Sequence, residues 1–360
     1  MTTAVGPIDN SLASGRLPRG ITWVLLAGSW GVLGIVFLLI QLANGDKNFN
    51  LVGTLFLGTL LFDALIFTVS YLVEGVRRAT DRIVTSLVLT AFIIALLPLI
   101  SLIYTVVLNG LPRMLEPSFF SSSMRNVLGS GGGALHAVIG TLEITLAATL
   151  ISVPIGLLTS LYLVEYGRGI LAQTITFMID VMTGIPSIVA GLFAYALFLL
   201  VTGNAGYRSG FGGSVALSVV MIPVVVRSSE EILKLVPNEL REASYALGVP
   251  KWLTILKIVI PTAITGITTG VMLAVARVIG ETAPLLLITG FTAGVNYNLF
   301  SNQMMTLPMF VYTQYANQGP NAADFLNRAW AAALTLILIV MILNLIARLV
   351  ARFFAPKIGR

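Results

Sequence analysis

The sequence predicts an all-α, polytopic membrane protein with about eight transmembrane helices, and three observations predict it. Charged residues make up only 10% of the 360 and the hydrophobic set 57%, against about a quarter charged in an ordinary soluble domain. The apolar residues gather into runs long enough to cross about 30 Å of hydrocarbon. Those runs are continuous, without the period-two alternation of a barrel strand, and an open sheet leaves backbone groups unpaired in lipid, so helices remain. Cysteine is absent and His136 is the one histidine. That excludes disulfides, thiolate metal sites, a Cys nucleophile and an imidazole cluster for zinc. The pI near 9.7 does not point to nucleic acid, because the basic residues sit in short segments between the apolar runs, as lipid topology requires.

In chain order the expected spans are 21–43, 51–73, 84–108, 138–164, 176–201, 213–227, 259–289 and 330–354. The first follows a polar start containing Arg16 and Arg19 and ends in Leu42-Ala-Asn-Gly-Asp46 without a small-residue cleavage site, so it reads as a retained span. The sixth is the shortest. Alternation from a cytoplasmic N-terminus puts fifteen basic residues inside, among them Arg227, Lys357 and Arg360, and only Lys47, Arg113, Arg125, Arg208 and Arg328 outside. This asymmetry supports both the even span count and two cytoplasmic termini.

Two connections carry information. The outside segment 109–137 contains Gly129-Ser-Gly-Gly-Gly133, follows no strand and lacks Lys-Ser/Thr, so it reads as a flexible link and not a phosphate cradle. The inside segment 228–258 is the longest cytoplasmic excursion. Within it Asn238 reads as the N-cap of a short helix, with Glu239, Arg241 and Glu242 polar, Leu240, Ala243, Tyr245 and Leu247 supplying apolar contacts, and Gly248 ending the helix. A helix this short is marginal alone. It rests either on the membrane surface or against a partner.

Glu242-Ala243-Ser244, three residues, Gly248, nine residues and Ile258-Val-Ile260-Pro261 resemble the EAA motif of bacterial ABC importer permeases. Ser244 stands for the second Ala and Ile260 for Leu. Further stretches are similar to the PstA-type permeases of phosphate importers: Thr141-Leu-Glu-Ile-Thr-Leu, Val153-Pro-Ile-Gly, Tyr162-Leu-Val-Glu-Tyr-Gly, Gly184-Ile-Pro-Ser-Ile-Val-Ala-Gly-Leu-Phe, Leu235-Val-Pro and Ala276-Arg-Val-Ile-Gly-Glu-Thr-Ala-Pro-Leu-Leu. The resemblance implies a type I, MetI-like permease core of about six helices over 83–360, with a coupling segment at 228–258, preceded by a tail at 1–20 and an added hairpin at 21–82. It implies that Glu239, Arg241, Glu242, Ala243, Ser244, Tyr245, Leu247 and Gly248 engage a separate ATPase. Implied partners are a sister permease (PstC type), two ATPase subunits (PstB type) and an extracytoplasmic phosphate-binding protein (PstS type). No cofactor is expected, and ATP hydrolysis belongs to the partners, so the subunit itself is not an enzyme.

Five ionisable residues fall at membrane depth: Asp63, Glu143, Asp180, Arg277 and Glu281. Each should face protein or water, since lipid exposure costs several kcal/mol. Arg277 and Glu281 are four residues apart on the seventh span, which on a continuous helix puts them within salt-bridge reach. Gly280 and Pro284 flank them and loosen the helix. Two readings stay open, an ion pair that locks helices and a relay that hands an oxyanion to a planar guanidinium fork. The family resemblance favours the relay, with Arg277, Glu281, Thr282 and Ser187 on the substrate path. Glu143 and Asp180 are expected to be structural, satisfied by Thr141 and Thr145 and by Thr183 and Ser187, and Asp63 to serve helix packing or a partner contact. His136 is expected to be solvated or capping. The alternatives are a permease for another oxyanion or small solute and an ion-coupled transporter using Asp180 or Glu143 as a proton site.

Overall fold

The computed structural model describes residues 17–18, 20–44, 49–127, 129–319 and 321–354. Arg16, Arg19, Lys47, Lys357 and Arg360, all used in the charge count, lie outside them, as does most of the tail at 1–20. The chain groups into two compact units, Met1–Ile103 and Tyr104–Arg360.

The first unit holds α1 (Ile21–Asn44), α2 (Leu51–Glu74) and the leading part of α3 (Val76–Met114). Asn50 caps α2 by accepting from the Gly53 amide at 2.9 Å. Buried Glu74 closes the charged end of this hairpin, accepting from Arg82 at 2.7 and 3.0 Å, Ser70 at 2.9 Å and the Leu17 amide at 2.9 Å. Asp63 accepts from Ser86, which joins α2 to α3 as a packing role requires.

The second unit begins with α4 (Pro117–Ser121) and α5 (Leu135–Leu161), which widens into a π-helical turn at Tyr162–Tyr166. Next come α6 (Gly169–Gly184), α7 (Ser187–Thr202), α8 (Gly210–Lys234), α9 (Asn238–Ala246) and α10 (Lys251–Thr254). A second π-helical turn, Ile255–Val259, leads into α11 (Ile260–Val278), followed by α12 (Ala283–Ile288), α13 (Leu307–Ala316) and α14 (Ala322–Phe354). Among the described residues there is no strand. Seven helical segments among them are long and apolar enough to span a membrane, and the bent pair α6–α7 makes an eighth. The protein is a multi-pass membrane protein.

α5 and α8 form the centre. Gly140, Ile144, Ala148, Ser152, Gly156 and Ser160 recur every fourth residue on the buried face of α5, and small residues there let two backbones approach without a hydrophobic driving force. Ser214 and Ser218 of α8 donate to the carbonyls of Ile144 at 3.1 Å and Ala148 at 3.4 Å. Leu142, Leu146 and Leu150 on the opposite face are exposed, as lipid contact demands. Leu217, Met221 and Val225 of α8 continue into a core with Ala274 and Val278 of α11 and Phe310 of α13.

Two expected spans are not continuous. The run 176–201 is broken between Gly184 and Ser187, and its halves meet at 109°. The run 259–289 stops at Val278 and restarts at Ala283. Pro186 and Pro284 lack an amide hydrogen and clash with the preceding turn, and Gly184 and Gly280 ahead of them disfavour continued helix. The short sixth span extends to Gly210–Lys234 and carries Arg227 inside the helix, not in a cytoplasmic loop.

Candidate functional site

The two helix breaks converge on one cleft of about 220 Å³. Met182 and Ser187 from the two sides of the α6–α7 elbow, Val220 and Pro223 of α8, and Arg277 and Glu281 line its wall. Arg277 occupies the last turn of α11 and Glu281 the turn that follows, whose amide donates to Val278 O at 3.0 Å. The two are therefore not on one helical face, contrary to the i, i+4 expectation. Among the described residues no ion pair or hydrogen bond joins them, and the locked-pair reading is not what this conformation contains. α11 ends at Val278 with Ile279 as its cap, so Gly280 and Glu281 lie beyond the helix that carries Arg277.

Three of the residues expected on a substrate path, Arg277, Glu281 and Ser187, thus line one wall, while Thr282 lies beside it. Thr282 starts α12, its carbonyl accepting from the amides of Leu285 at 3.2 Å and Leu286 at 3.1 Å. α7 passes so near α12 that a Cβ added at Gly191 would lie 2.6 Å from Pro284 Cα. The cleft offers one permanently charged five-donor fork, one carboxylate and two hydroxyls, those of Thr183 and Ser187. That donor set suits a small oxyanion, and the carboxylate competes with it.

The other membrane-depth acids correct the hydroxyl expectation. Asp180 is ion-paired to Arg227, which also holds Glu230 at 3.0 Å, while Thr183 donates to Ile179 O at 2.8 Å. Thr141 donates to Ala137 O and accepts from the Leu307 amide at 2.7 Å. It does not serve Glu143, whose Oε2 is buried without a partner. His136 is neither solvated nor a cap. It is 2% exposed, with its ring edge-on to Phe310 at 5.3 Å and both nitrogens unpartnered.

The second part of the site is α9. Pro237 occupies its cap position and Asn238 is already helical, its side chain accepting from Arg241 Nη1 at 3.3 Å. Asn238 is therefore not the N-cap expected from sequence. A proline with extended backbone already fixes the helix start. Gly248 adopts φ +76, the Gly248 amide reaches Tyr245 O at 2.9 Å and the Val249 amide reaches Ser244 O at 3.2 Å. These two bonds are the Schellman stop that the left-handed glycine permits.

Glu239, Glu242, Ala243, Tyr245, Leu247 and Gly248 are exposed on α9, with Leu247 at 83%. Arg241 and Ser244 point inward instead. Ser244 shares a buried 2.8 Å hydrogen bond with Thr254 of α10. Arg241 joins three elements: its guanidinium donates to Glu165 at 3.0 Å in the π-helical turn after α5, to the carbonyl of Leu233 at 3.1 Å in the last turn of α8, and to that of Val236 at 2.6 Å just beyond it. Lys251 donates to the Glu165 carbonyl and lies 4.7 Å over the Tyr166 ring. Sequence reasoning missed Glu165 and Lys251 as anchors, since 76 residues separate Glu165 from Arg241. A sequence signal existed, an unpaired acid beside the basic cytoplasmic segments.

The sequence profile of the family described as "Binding-protein-dependent transport system inner membrane component" matches residues 152–360. The chain is 45% identical over 283 residues to the phosphate transport system permease protein PstA 1 of Mycobacterium tuberculosis (strain CDC 1551 / Oshkosh), covering 78% of this chain and 91% of that protein. It is 46% identical over 283 residues to the phosphate transport system permease protein PstA of Mycobacterium leprae (strain TN), with the same two shares covered. A crystal structure of a bacterial ABC transporter involved in the import of the acidic polysaccharide alginate superposes with a TM-score of 0.54 at 13% identity, covering 77% of this chain and 97% of that one. That likeness concerns the fold alone.

Proposed function

The chain belongs to the family of binding-protein-dependent transport system inner membrane components, and from that premise we propose that it is the PstA-type permease subunit of an ATP-driven phosphate importer. The observation that carries this reading is the cleft where both helix breaks meet, with Arg277, Glu281 and Ser187 all in its lining. In it the guanidinium binds the tetrahedral oxyanion through charge-assisted bonds, and Glu281 keeps that binding weak enough for release. Broken helices at membrane depth are tolerated where they line such a path.

Energy enters through α9. Its exposed face, with Glu239, Glu242, Ala243, Tyr245, Leu247 and Gly248, fits a groove on an ATPase of the PstB type, while Arg241 and Ser244 tie the helix to the spans. Val224 in the cleft wall lies nine residues before Leu233, about 14 Å along α8. Displacement of α9 therefore pulls, through Arg241, on the helix that shapes the cleft. The importer alternates between two states that the ATPases bind unequally. A PstC-type sister permease completes the path, a PstS-type protein delivers phosphate from outside, and the charge asymmetry supports cytoplasmic termini with α9 inside. The core runs over 83–360, and the hairpin at 21–82 is an addition to it.

The test is Arg277→Ala in vesicles containing the full importer. Phosphate uptake is expected to vanish while the complex still assembles and binds nucleotide. Uptake at the wild-type rate, with equal amounts of complex in the membrane, would refute the assignment of Arg277 to the path.

A further inference from the structure

We propose that the opposite end of the second unit carries another oxyanion site, a receiving cup built on Arg125 and Arg208 that holds phosphate before it reaches Arg277. The inference rests on the phosphate reading above. A cavity of about 760 Å³ opens there, walled by the turn after α7, by the segment joining α12 to α13, and by Arg125. Two guanidinium groups line it, and no carboxylate is among its described lining residues. Two like charges in one polar concavity without a compensating acid attract anions and raise their local concentration.

The walls are held in place by their own bonds. Arg208 donates to Tyr207 O at 2.8 Å, and its guanidinium lies 4.9 Å over the Tyr195 ring. Only one of its terminal nitrogens is used, so donors remain for a ligand. Arg125 is exposed, and its side chain makes no hydrogen bond or ion pair among the described residues. Across the cup, the Asn296 side chain donates to Ser301 O at 2.8 Å and Gln303 O at 3.1 Å, and accepts from the Asn298 amide at 2.9 Å. This irregular segment is thereby fixed, and Gln303 adds a neutral amide to the lining.

Topology connects the cup to the cleft. Ser187 in the cleft wall and Thr202 are the two ends of α7, and Asn204 just beyond lines the cup. The helix between them is about 22 Å long. On the far side, α12 runs from the turn bearing Glu281 toward Thr292 in the cup. The same two helices therefore bridge both arginine sites. α8 leaves the cup end at Gly210 and reaches α9 after Lys234, so the cup faces away from the coupling helix, on the side where a delivered anion arrives.

An anion released from a docked carrier is either captured by the permease or lost to bulk water. Removing the cup's charge therefore lowers the yield of transport without touching the motor. The experiment uses the complete importer in vesicles with saturating phosphate-loaded binding protein, and reads phosphate imported per ATP hydrolysed for Arg125→Gln, Arg208→Gln, the double variant and the corresponding Lys variants. The double Gln variant is expected to lower that ratio about tenfold, with the hydrolysis stimulated by binding protein unchanged and the Lys variants near wild type. Arg125→Gln alone, at a position without side-chain bonds, lowers it in the same direction without a folding defect. An unchanged ratio overturns the cup. A parallel loss of stimulated hydrolysis also overturns it, since the arginines then serve carrier docking. Failure of the wild-type complex to import phosphate is a separate result that refutes the substrate reading itself.

Discussion

Arg241→Gln tests whether α9 is a rigid lever. Arg241 is 12% exposed and its partner Glu165 5%, so the change leaves a carboxylate unpaired in a nearly dry place, at a cost of about 3–5 kcal/mol. It also frees the carbonyls of Leu233 in the last turn of α8 and of Val236 just beyond it. With every 1.4 kcal/mol worth tenfold, a loss of about 3 kcal/mol raises the undocked population of α9 about a hundredfold. Glu165→Gln retains an acceptor oxygen and the carbonyl contacts, so it costs about 1–2 kcal/mol. Two readouts apply to the assembled importer: amide hydrogen exchange across 238–248, and phosphate imported per ATP. Exchange there should accelerate about a hundredfold in Arg241→Gln and less in Glu165→Gln, with the transport yield falling in the same order and the double variant costing less than the sum. Wild-type exchange in Arg241→Gln would show that the helix is held elsewhere and would refute the lever.

Two further substitutions probe the packing around the site. Gly191→Ala puts a methyl group 2.6 Å from both Cα and O of Pro284, so α7 and α12 must part; thermal unfolding should show a loss of about 1–3 kcal/mol and uptake should slow. Ser244→Ala removes the buried partner of Thr254, which retains only a 3.4 Å bond to Pro250 O; about 1 kcal/mol of stability should be lost, with hydrolysis by the partner ATPases intact.

The spans were legible because lipid imposes length and apolarity on every crossing segment, whatever the tertiary fold. The breaks were not, because a hydropathy window is blind to backbone hydrogen bonding. Proline alone would not have located them: Pro154 and Pro223 sit inside unbroken α5 and α8. Pro186 and Pro284 differ in having Gly184 and Gly280 shortly before them, which couples a missing amide to a flexible backbone. Reading Arg277 and Glu281 as i, i+4 neighbours failed for that reason, although Arg277, Glu281 and Ser187 still meet in one cleft. The stop at Gly248 was readable from local spacing, and the Schellman bonds are its expression. The inward turn of Arg241 and Ser244 was not, because their partners Glu165 and Thr254 come from other segments, as does Phe310, which covers His136.

The central claim is that the chain moves phosphate only when separate ATPases act on it through α9. Radiolabelled phosphate uptake into vesicles containing both permease subunits, with binding protein outside and ATP at the ATPase face, tests this most directly. Uptake against a gradient is expected with the ATPase subunits present and absent without them. Accumulation driven by ATP in vesicles that contain no ATPase subunit would contradict the account.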